Sequence, residues 1–263
     1  MIVGFQGEPG AFSEEAAIAR FGLIATQGFE SFDALVERVA SGEVPLGLLP
    51  CENSIHGSVV RAYDLLYAHP EIRIVDETVH RIEQALIGPP GASLAAVRRV
   101  ESHPVALEQC RRFLAGLGDV EVVAVADTAG AVRAVASAGE GWRAAIGPAG
   151  SAGRYGATIL ATAIQDEPEN YTRFFCIAHD GRPLRGLGRA VLAFVLPHRA
   201  GSLHRALGVF AERGLNLRGL VARPLPGRPF EYIFYAEIDC PDEALSQGLV
   251  EAAGGEGRVL GWF

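Results

Sequence analysis

An α/β architecture in two parts is predicted for this chain, and three observations carry it. Strand-like and helix-like segments alternate through the first 180 residues, the pattern of sheets covered by helices. Residues 181–188 (Gly-Arg-Pro-Leu-Arg-Gly-Leu-Gly) are turn-rich and polar, as linkers are. Beyond them the order becomes strand, helix, strand, strand, helix, strand, a ferredoxin-like βαββαβ unit over residues 188–263.

The first part opens with a short buried strand, Ile2 to Phe5. A loop follows, from Gln6 to Ser13, with a helix running from it to about Phe21. Ser13 is read as the helix N-cap, with Glu14 and Glu15 favouring the first turn. Strand, Gly-rich loop and helix start form either an anion cradle of backbone N–H groups or a tight turn. The glycines fall at Gly4, Gly7 and Gly10, which is not a dinucleotide fingerprint. Ser31 to Ala40 is a second helix with Phe32, Leu35, Val36 and Val39 on one face. Leu46 to Leu49 is a strand that delivers a polar segment, Pro50 to Ser58, to its C-terminal end, where α/β sheets bind ligands.

Ile72 and Ile74 alternate with polar residues, and the run through Val79, Ile82 and Leu86 is strand-like. Arg98 to Glu101 is a strand, and Pro104 opens a helix whose buried face is Leu107, Cys110, Leu114 and Leu117. Gln109 lies seven residues after Ser102, two helical turns on. His103 reads as a cap at least as readily as a catalytic group. Val120 to Val125 is a strand, Asp127 to Ala138 a helix, Ala144 to Ile146 a strand, and Gly147 to Ala152 a turn or helix start. Ile159 to Ile164 leads into Asp166–Phe175, a stretch that is acidic and turn-prone first, apolar and strand-like after. At its junction stand Thr172 and Arg173, and an Arg partly removed from water needs an anionic partner.

In the second part, Ala190 to Leu196 is a strand and Ser202 caps a helix that Gly214 ends in the left-handed conformation. Leu215 to Ala222 and Phe230 to Ile238 are strands, Pro241 starts a helix to about Ala252, and Arg258 to Trp262 is the last strand.

Composition narrows the function. Of 263 residues, 49% are hydrophobic and 21% charged, ordinary values for a globular protein. The net charge of −8 makes nucleic acid and anionic membranes poor partners, so no binding to either is expected. Cys51, Cys110, Cys176 and Cys240 are widely spaced, which points to reduced thiols in a cytoplasmic protein and to neither a zinc cage nor a disulfide framework. The start, Met1 to Phe5, does not read as a signal peptide, and no apolar run is long enough to span a bilayer.

Five segments, in order, resemble the prephenate dehydratase family: Gly7 to Ser13, Pro50 to Ser54, Ser102-His103-Pro104 with Gln109-Cys110, Ala126 to Ala129, and Thr172-Arg173-Phe174. The unit after the linker resembles an ACT domain, with Gly201-Ser202-Leu203 as its first turn motif. The resemblance implies a catalytic domain at residues 1–181 built like type II periplasmic binding proteins. Its lobe one would be about 1–78 and 165–181, its lobe two about 79–164, with the site between them. It implies conversion of prephenate to phenylpyruvate, water and carbon dioxide, feedback by phenylalanine at an ACT domain of residues 188–263, and a homodimer or homotetramer. No cofactor or metal is called for.

By the same resemblance Thr172 lies nearest the departing hydroxyl and Arg173 helps hold a carboxylate. Asn53, Ser102 and Gln109 supply neutral donors. Ser13, Glu52, Ser54, Thr128 and Phe174 complete the substrate pocket, Phe174 as packing. Glu52 and His56 are the titratable candidates for a stronger acid. Gly201, Ser202, Leu203, His204 and Asn216 are the expected effector residues. The family's Glu-Ser-Arg-Pro is here Val221-Ala222-Arg223-Pro224, which weakens the expectation for phenylalanine. The alternatives are an arogenate dehydratase and a non-catalytic amino-acid-sensing binding protein.

Overall fold

Val3 and Phe5 are sealed from solvent while Ile2 is exposed, so the first apolar run forms a strand, β1 (Ile2–Gln6). The computed structural model describes residues 1–225, 227–253 and 256–263. After β1 come α1 (Phe12–Phe21), β2 (Ala25–Phe29), α2 (Phe32–Ala40), β3 (Leu46–Asn53), β4 (Gly57–Ser58), α3 (Val60–Ala68), β5 (Ile72–Arg81) and β6 (Gln84–Gly88). A short 3₁₀ turn (Leu94–Ala96) leads to β7 (Arg99–Ser102), α4 (Pro104–Gln109), α5 (Arg111–Gly116), β8 (Glu121–Ala124), α6 (Thr128–Ala138), β9 (Arg143–Pro148), α7 (Ala149–Tyr155), β10 (Thr158–Ala161) and β11 (Tyr171–His179). The remainder is β12 (Arg189–Val195), α8 (Ser202–Glu212), β13 (Leu217–Pro224), β14 (Tyr232–Asp239), α9 (Glu243–Ala252) and β15 (Glu256–Trp262).

The fold is mixed α/β, with strands in the orders β2-β1-β3-β11-β5 (β4 on β3), β10-β6-β9-β7-β8, and β13-β14-β12-β15. The chain divides into two compact units: Met1–Leu35, Glu52–Gly57 and Thr78–Phe174 form one, and Val36–Cys51, Ser58–Glu77 and Phe175–Phe263 the other.

In the first unit β1, α1 and β2 make a parallel βαβ unit, with Ile2 opposite Ala25 and Gln6 opposite Phe29. The strand β2 is largely exposed and its Thr-Gln-Gly centre is polar, which is why sequence periodicity passes over it. The β6 strand is buried at every position. Ala85 and Ile87 pack with Val132 and Val135 of α6, while Leu86 packs with Val100, Cys110 and Ile146. A strand covered on both faces shows a continuous apolar run instead of alternation.

Two predicted caps and one predicted helix differ in the structure. The N-cap of α1 is Ala11, and Ser13 lies inside the first turn. The N-cap of α8 is Gly201, with φ +81, so Ser202 is the first helical residue and makes no side-chain cap bond. Any side chain at Gly201 would meet Arg205 Nη1, at 2.9 Å from its Cβ, and would be strained by that φ. The helix after Pro104 is interrupted at Cys110 (φ −119, ψ 25), giving α4 and α5 in place of one helix. The Asp127 cap holds, accepting from Gly130 N at 2.5 Å, as does Pro104 in the first helical turn.

The anion-cradle reading of residues 6–13 is corrected by Glu14. Its buried carboxylate accepts from Gly10 N at 2.5 Å, from Thr26 Oγ1 at 2.6 Å and from Arg154 Nη2 at 2.9 Å. Gly7 N donates to Phe29 O and Ala11 N to Glu8 O. These N–H groups are spent inside the chain, so the segment is a tight turn pinned by a carboxylate. Replacing Glu14 by alanine leaves a buried N–H and a hydroxyl without partners. It is expected to cost about 2–3 kcal/mol in denaturant unfolding, because Arg154 stays half in water; a loss below about 0.5 kcal/mol would contradict this role.

Burial pushes the Cys110 thiol up to about 12, and the Asp166 carboxylate adds to the effect. The raised value favours the fold as long as the unfolded thiol also keeps its proton. The contribution is full below about pH 8.5, the unfolded value, and is lost as pH rises towards the folded value. A variant keeping only Cys110 should label with a thiol reagent at pH 8 only at the rate of unfolding. Burst labelling of the native state would contradict the burial.

In the second unit β12, α8, β13, β14, α9 and β15 form the expected βαββαβ order, with β12 antiparallel to both β14 and β15 and β13 antiparallel to β14. Phe194 stacks on Phe234 with centroids 5.9 Å apart and meets Phe210 edge-on at 6.2 Å. Sequence reading missed α3, which belongs to this unit. Its Asp64 accepts from Tyr235 Oη at 3.1 Å and from Arg223 at 2.9 and 3.2 Å, and Tyr63 Oη donates to Glu237. Arg258 donates to the carbonyls of Leu66 and His69 at the end of α3, where the helix dipole favours a cation. Arg223, the arginine that this sequence keeps where Val221 and Ala222 depart from the family motif, thus has a structural partner in Asp64.

Candidate active site

The polar segment that sequence reading placed after a strand is partly strand itself: β3 continues through Glu52 and Asn53. Asn53 is hydrogen-bonded through both ends of its amide. Its Oδ1 accepts from the backbone N–H groups of Ile55 and His56, both at 3.0 Å, an Asx-type turn that fixes the side chain. Its Nδ2 donates to Asn170 Oδ1 at 2.8 Å, to Tyr171 O at 3.1 Å and to Thr172 Oγ1 at 3.1 Å. Ser54 ties the same loop to the start of β11. Its Oγ donates to Glu169 O and accepts from Tyr171 N, and its own N–H donates to Tyr171 O.

The consequence falls on Thr172. Its oxygen accepts from Asn53, and among the described residues its O–H donates to nothing. A hydroxyl whose lone pair is engaged in this way offers its proton outward. Beside it, Arg173 donates through Nε at 3.1 Å and Nη2 at 2.9 Å to Glu52 Oε2, with only 15% of its side chain exposed. The expected anionic partner of Arg173 is thus present within the chain. Glu52, proposed on sequence as a possible acid, is the counter-ion of that pair.

Of the other predicted residues, Gln109 is 8% exposed and its Oε1 accepts from Gln84 Nε2 at 3.1 Å. Ser102 ends β7 and is not on the helix that carries Gln109, so the two-turn spacing argument does not hold. Its hydroxyl, fully buried, donates to Ile146 O at 2.6 Å, which spends the proton on the backbone of β9. Phe174 is 2% exposed and is core packing. His103 caps α4 by accepting from Val105 N at 3.3 Å. His56 is exposed and reaches the cluster through its backbone N–H. Thr128 is the first residue of α6, and neither its side chain nor that of Ser13 hydrogen-bonds to the Asn53–Thr172 cluster among the described residues. Two buried amides were missed: Gln84 at the start of β6 and Asn170, fully buried, just before β11. A polar residue opening an apolar run is the one sequence signal that points to either.

In the second unit, a hollow of about 130 Å³ is lined by Leu196, Pro197, His198, Arg199, Ser202 and Leu203 together with Tyr232 and Phe234. Asn216 is not part of it; its Nδ2 donates to Asp239 Oδ2 at 2.9 Å. That bond, with Arg218 adding to it, holds the Asp239 carboxyl below its usual range. The Ser202 N–H donates to Arg199 O at 3.2 Å, so this donor is also used internally. Among the described residues no cluster of His, Cys, Asp and Glu is arranged to hold a metal ion, and no helix is long and apolar enough to cross a membrane.

Comparison with known proteins decides the family. The family model for prephenate dehydratase matches residues 3–182. The chain belongs to the prephenate dehydratase family. This is a family of hydro-lyases. The arogenate dehydratase/prephenate dehydratase 1 of Arabidopsis thaliana chloroplasts is 36% identical over 257 residues, which cover 90% of this chain and 64% of that protein. The chain therefore spans under two thirds of that relative's length. A prephenate dehydratase from Arthrobacter aurescens, solved in complex with L-Phe, superposes with a TM-score of 0.88 at 28% identity, covering 99% of this chain and 89% of that one. A solved structure described as a novel type of quorum quenching acylase also has a TM-score of 0.88, at 32% identity over 99% of this chain and 97% of its own.

Proposed function

We propose that this member of the family is a prephenate dehydratase that converts prephenate to phenylpyruvate, water and carbon dioxide in phenylalanine biosynthesis. The observation that carries the reading is the Thr172 hydroxyl, held as an acceptor by Asn53 with its proton unspent, next to a guanidinium. The ring C–O bond breaks with its electron pair leaving on oxygen, and the hydroxide so released takes a proton from solvent to become water. The ring carboxylate leaves as carbon dioxide and its electron pair completes the aromatic ring. A hydrogen bond from Thr172 to the departing oxygen stabilises charge that develops only in the transition state. By the family resemblance Arg173 would hold a substrate carboxylate in exchange for Glu52, with which it is paired, and Gln109 adds a neutral donor. Neutral donors suit the carboxylate that departs, because a firm ion pair there would stabilise the ground state. No cofactor enters this chemistry.

The test is purified protein incubated at neutral pH with prephenate and, separately, with arogenate. Phenylpyruvate from prephenate above the uncatalysed rate supports the reading. Product from arogenate alone would replace it with an arogenate dehydratase, and no product from either would overturn it.

The same reading takes residues 1–181 as the catalytic domain and 188–263 as an ACT domain, with a homodimer or homotetramer as the assembly and the cytoplasm as its place. A family match that ends at residue 182 and the βαββαβ order beyond it support the division. Phenylalanine is the proposed effector, and the aromatic hollow at Leu203, Tyr232 and Phe234 is its proposed seat. Added phenylalanine should lower turnover, and Leu203→Trp, which fills the hollow, should remove that response while leaving basal turnover unchanged. A response that survives the substitution places the effector elsewhere.

A further inference from the structure

Gln84 is 2% exposed and opens β6 opposite Pro148. Pro148 has no N–H to give, and the Gln84 carbonyl instead accepts from Ile164 N at 3.1 Å. Gln84 N donates to Gln165 Oε1 at 3.0 Å. The backbone is therefore fixed on both sides. From it the side chain donates Nε2–H to Gln109 Oε1 at 3.1 Å, while Gln109 O accepts from Asp166 N at 2.6 Å.

A glutamine amide has two ends, and which end faces a ligand decides whether it donates or accepts. Gln84 Oε1 is sealed from solvent without a partner. Turning both amides over would put an NH₂ with two unspent protons into that spot, and orphaned buried N–H groups are rarer than under-satisfied oxygens. The observed polarity therefore leaves Gln109 Nε2 as the end without a partner among the described residues, and it is not among the sealed, unsatisfied atoms. We propose that Gln84 is a positioning residue: by donating to Gln109 Oε1 it holds the Gln109 amide with its NH₂ turned to the substrate, so that Gln109 acts as a donor and not an acceptor. This rests on the dehydratase reading for the substrate, but not for the amide's orientation.

Gln84→Glu reverses the polarity, because a carboxylate only accepts and draws the Gln109 NH₂ to itself. At neutral pH this variant should lose roughly 10–100-fold in kcat/KM, the scale on which removing a supporting partner acts. Part of the loss should return as pH falls and the introduced carboxyl group regains its proton and can donate again. Gln84→His, which keeps a donor, should stay within a few fold of wild type, and Gln84→Met, which has none, should fall with the glutamate variant. A glutamate variant with wild-type kcat/KM and pH profile overturns the proposal. If that variant does not fold, methionine decides, and wild-type kinetics there overturn it equally. The Gln109 side-chain amide resonances, assigned by their loss in Gln109→Ala, give a readout independent of substrate. They should shift in Gln84→Glu and stay near wild type in Gln84→His, and an unchanged Gln109 amide in the glutamate variant contradicts the proposal even where prephenate is not turned over.

Discussion

Thr172→Val should lower kcat on prephenate by about 10²–10³-fold, the cost of removing one preorganised donor from a developing negative charge. Valine keeps the shape of threonine and removes only the hydroxyl. Asn53 retains Asn170 Oδ1 and Tyr171 O as acceptors, so the native state should lose no more than about 1 kcal/mol. KM should change little, because the hydrogen bond strengthens only as the C–O bond breaks. Steady-state kinetics with thermal unfolding as the control give the answer. A valine variant with undiminished kcat removes Thr172 from the chemistry.

Asn53→Asp should produce a loss of similar size by a different route. The carboxylate keeps the two acceptor bonds from Ile55 and His56 N–H that shape the turn. It cannot donate to Thr172, and its charge draws the Thr172 O–H towards itself, away from the substrate. Asn170, whose Nδ2 is buried without a partner, can turn its amide and donate to the new carboxylate. The fold should therefore survive while kcat falls about 10²-fold or more. A variant that folds and turns over at the wild-type rate would show that Asn53 does not set the Thr172 proton.

Much of this was legible in the sequence. The apolar period of α2, the Asp127 cap of α6 and the βαββαβ order all depend on local pattern, which survives folding unchanged. Thr172 and Arg173 stood out for the same reason: a hydroxyl and a cation at the edge of an apolar strand. Other features depend on partners distant in the chain. Asn53 meets Thr172 across 119 positions, and Glu14 meets Arg154 across 140. Glu14 looked like a first-turn helix acid, and only the fold shows that it closes the glycine loop. Ser102 looked like a ligand donor, and only the neighbouring strand shows that its proton goes to Ile146. Gln84 carried only the faint signal of a polar residue opening an apolar run, because its partner Gln109 lies 25 residues away. The strand β2 and helix α3 were missed for lack of contrast. One is polar and exposed, and the other follows a loop with no side-chain cap to mark its start.

The central claim is that Asn53 serves turnover through the Thr172 hydroxyl, and a double-mutant cycle tests it most directly. Kinetic constants for Thr172→Val, Asn53→Asp and the double variant, each checked for folding, supply the coupling. If Asn53 works through Thr172, the double variant should be no slower than the slower single variant, within a few fold. If the two losses multiply, Asn53 and Thr172 act independently and the account of the site is wrong.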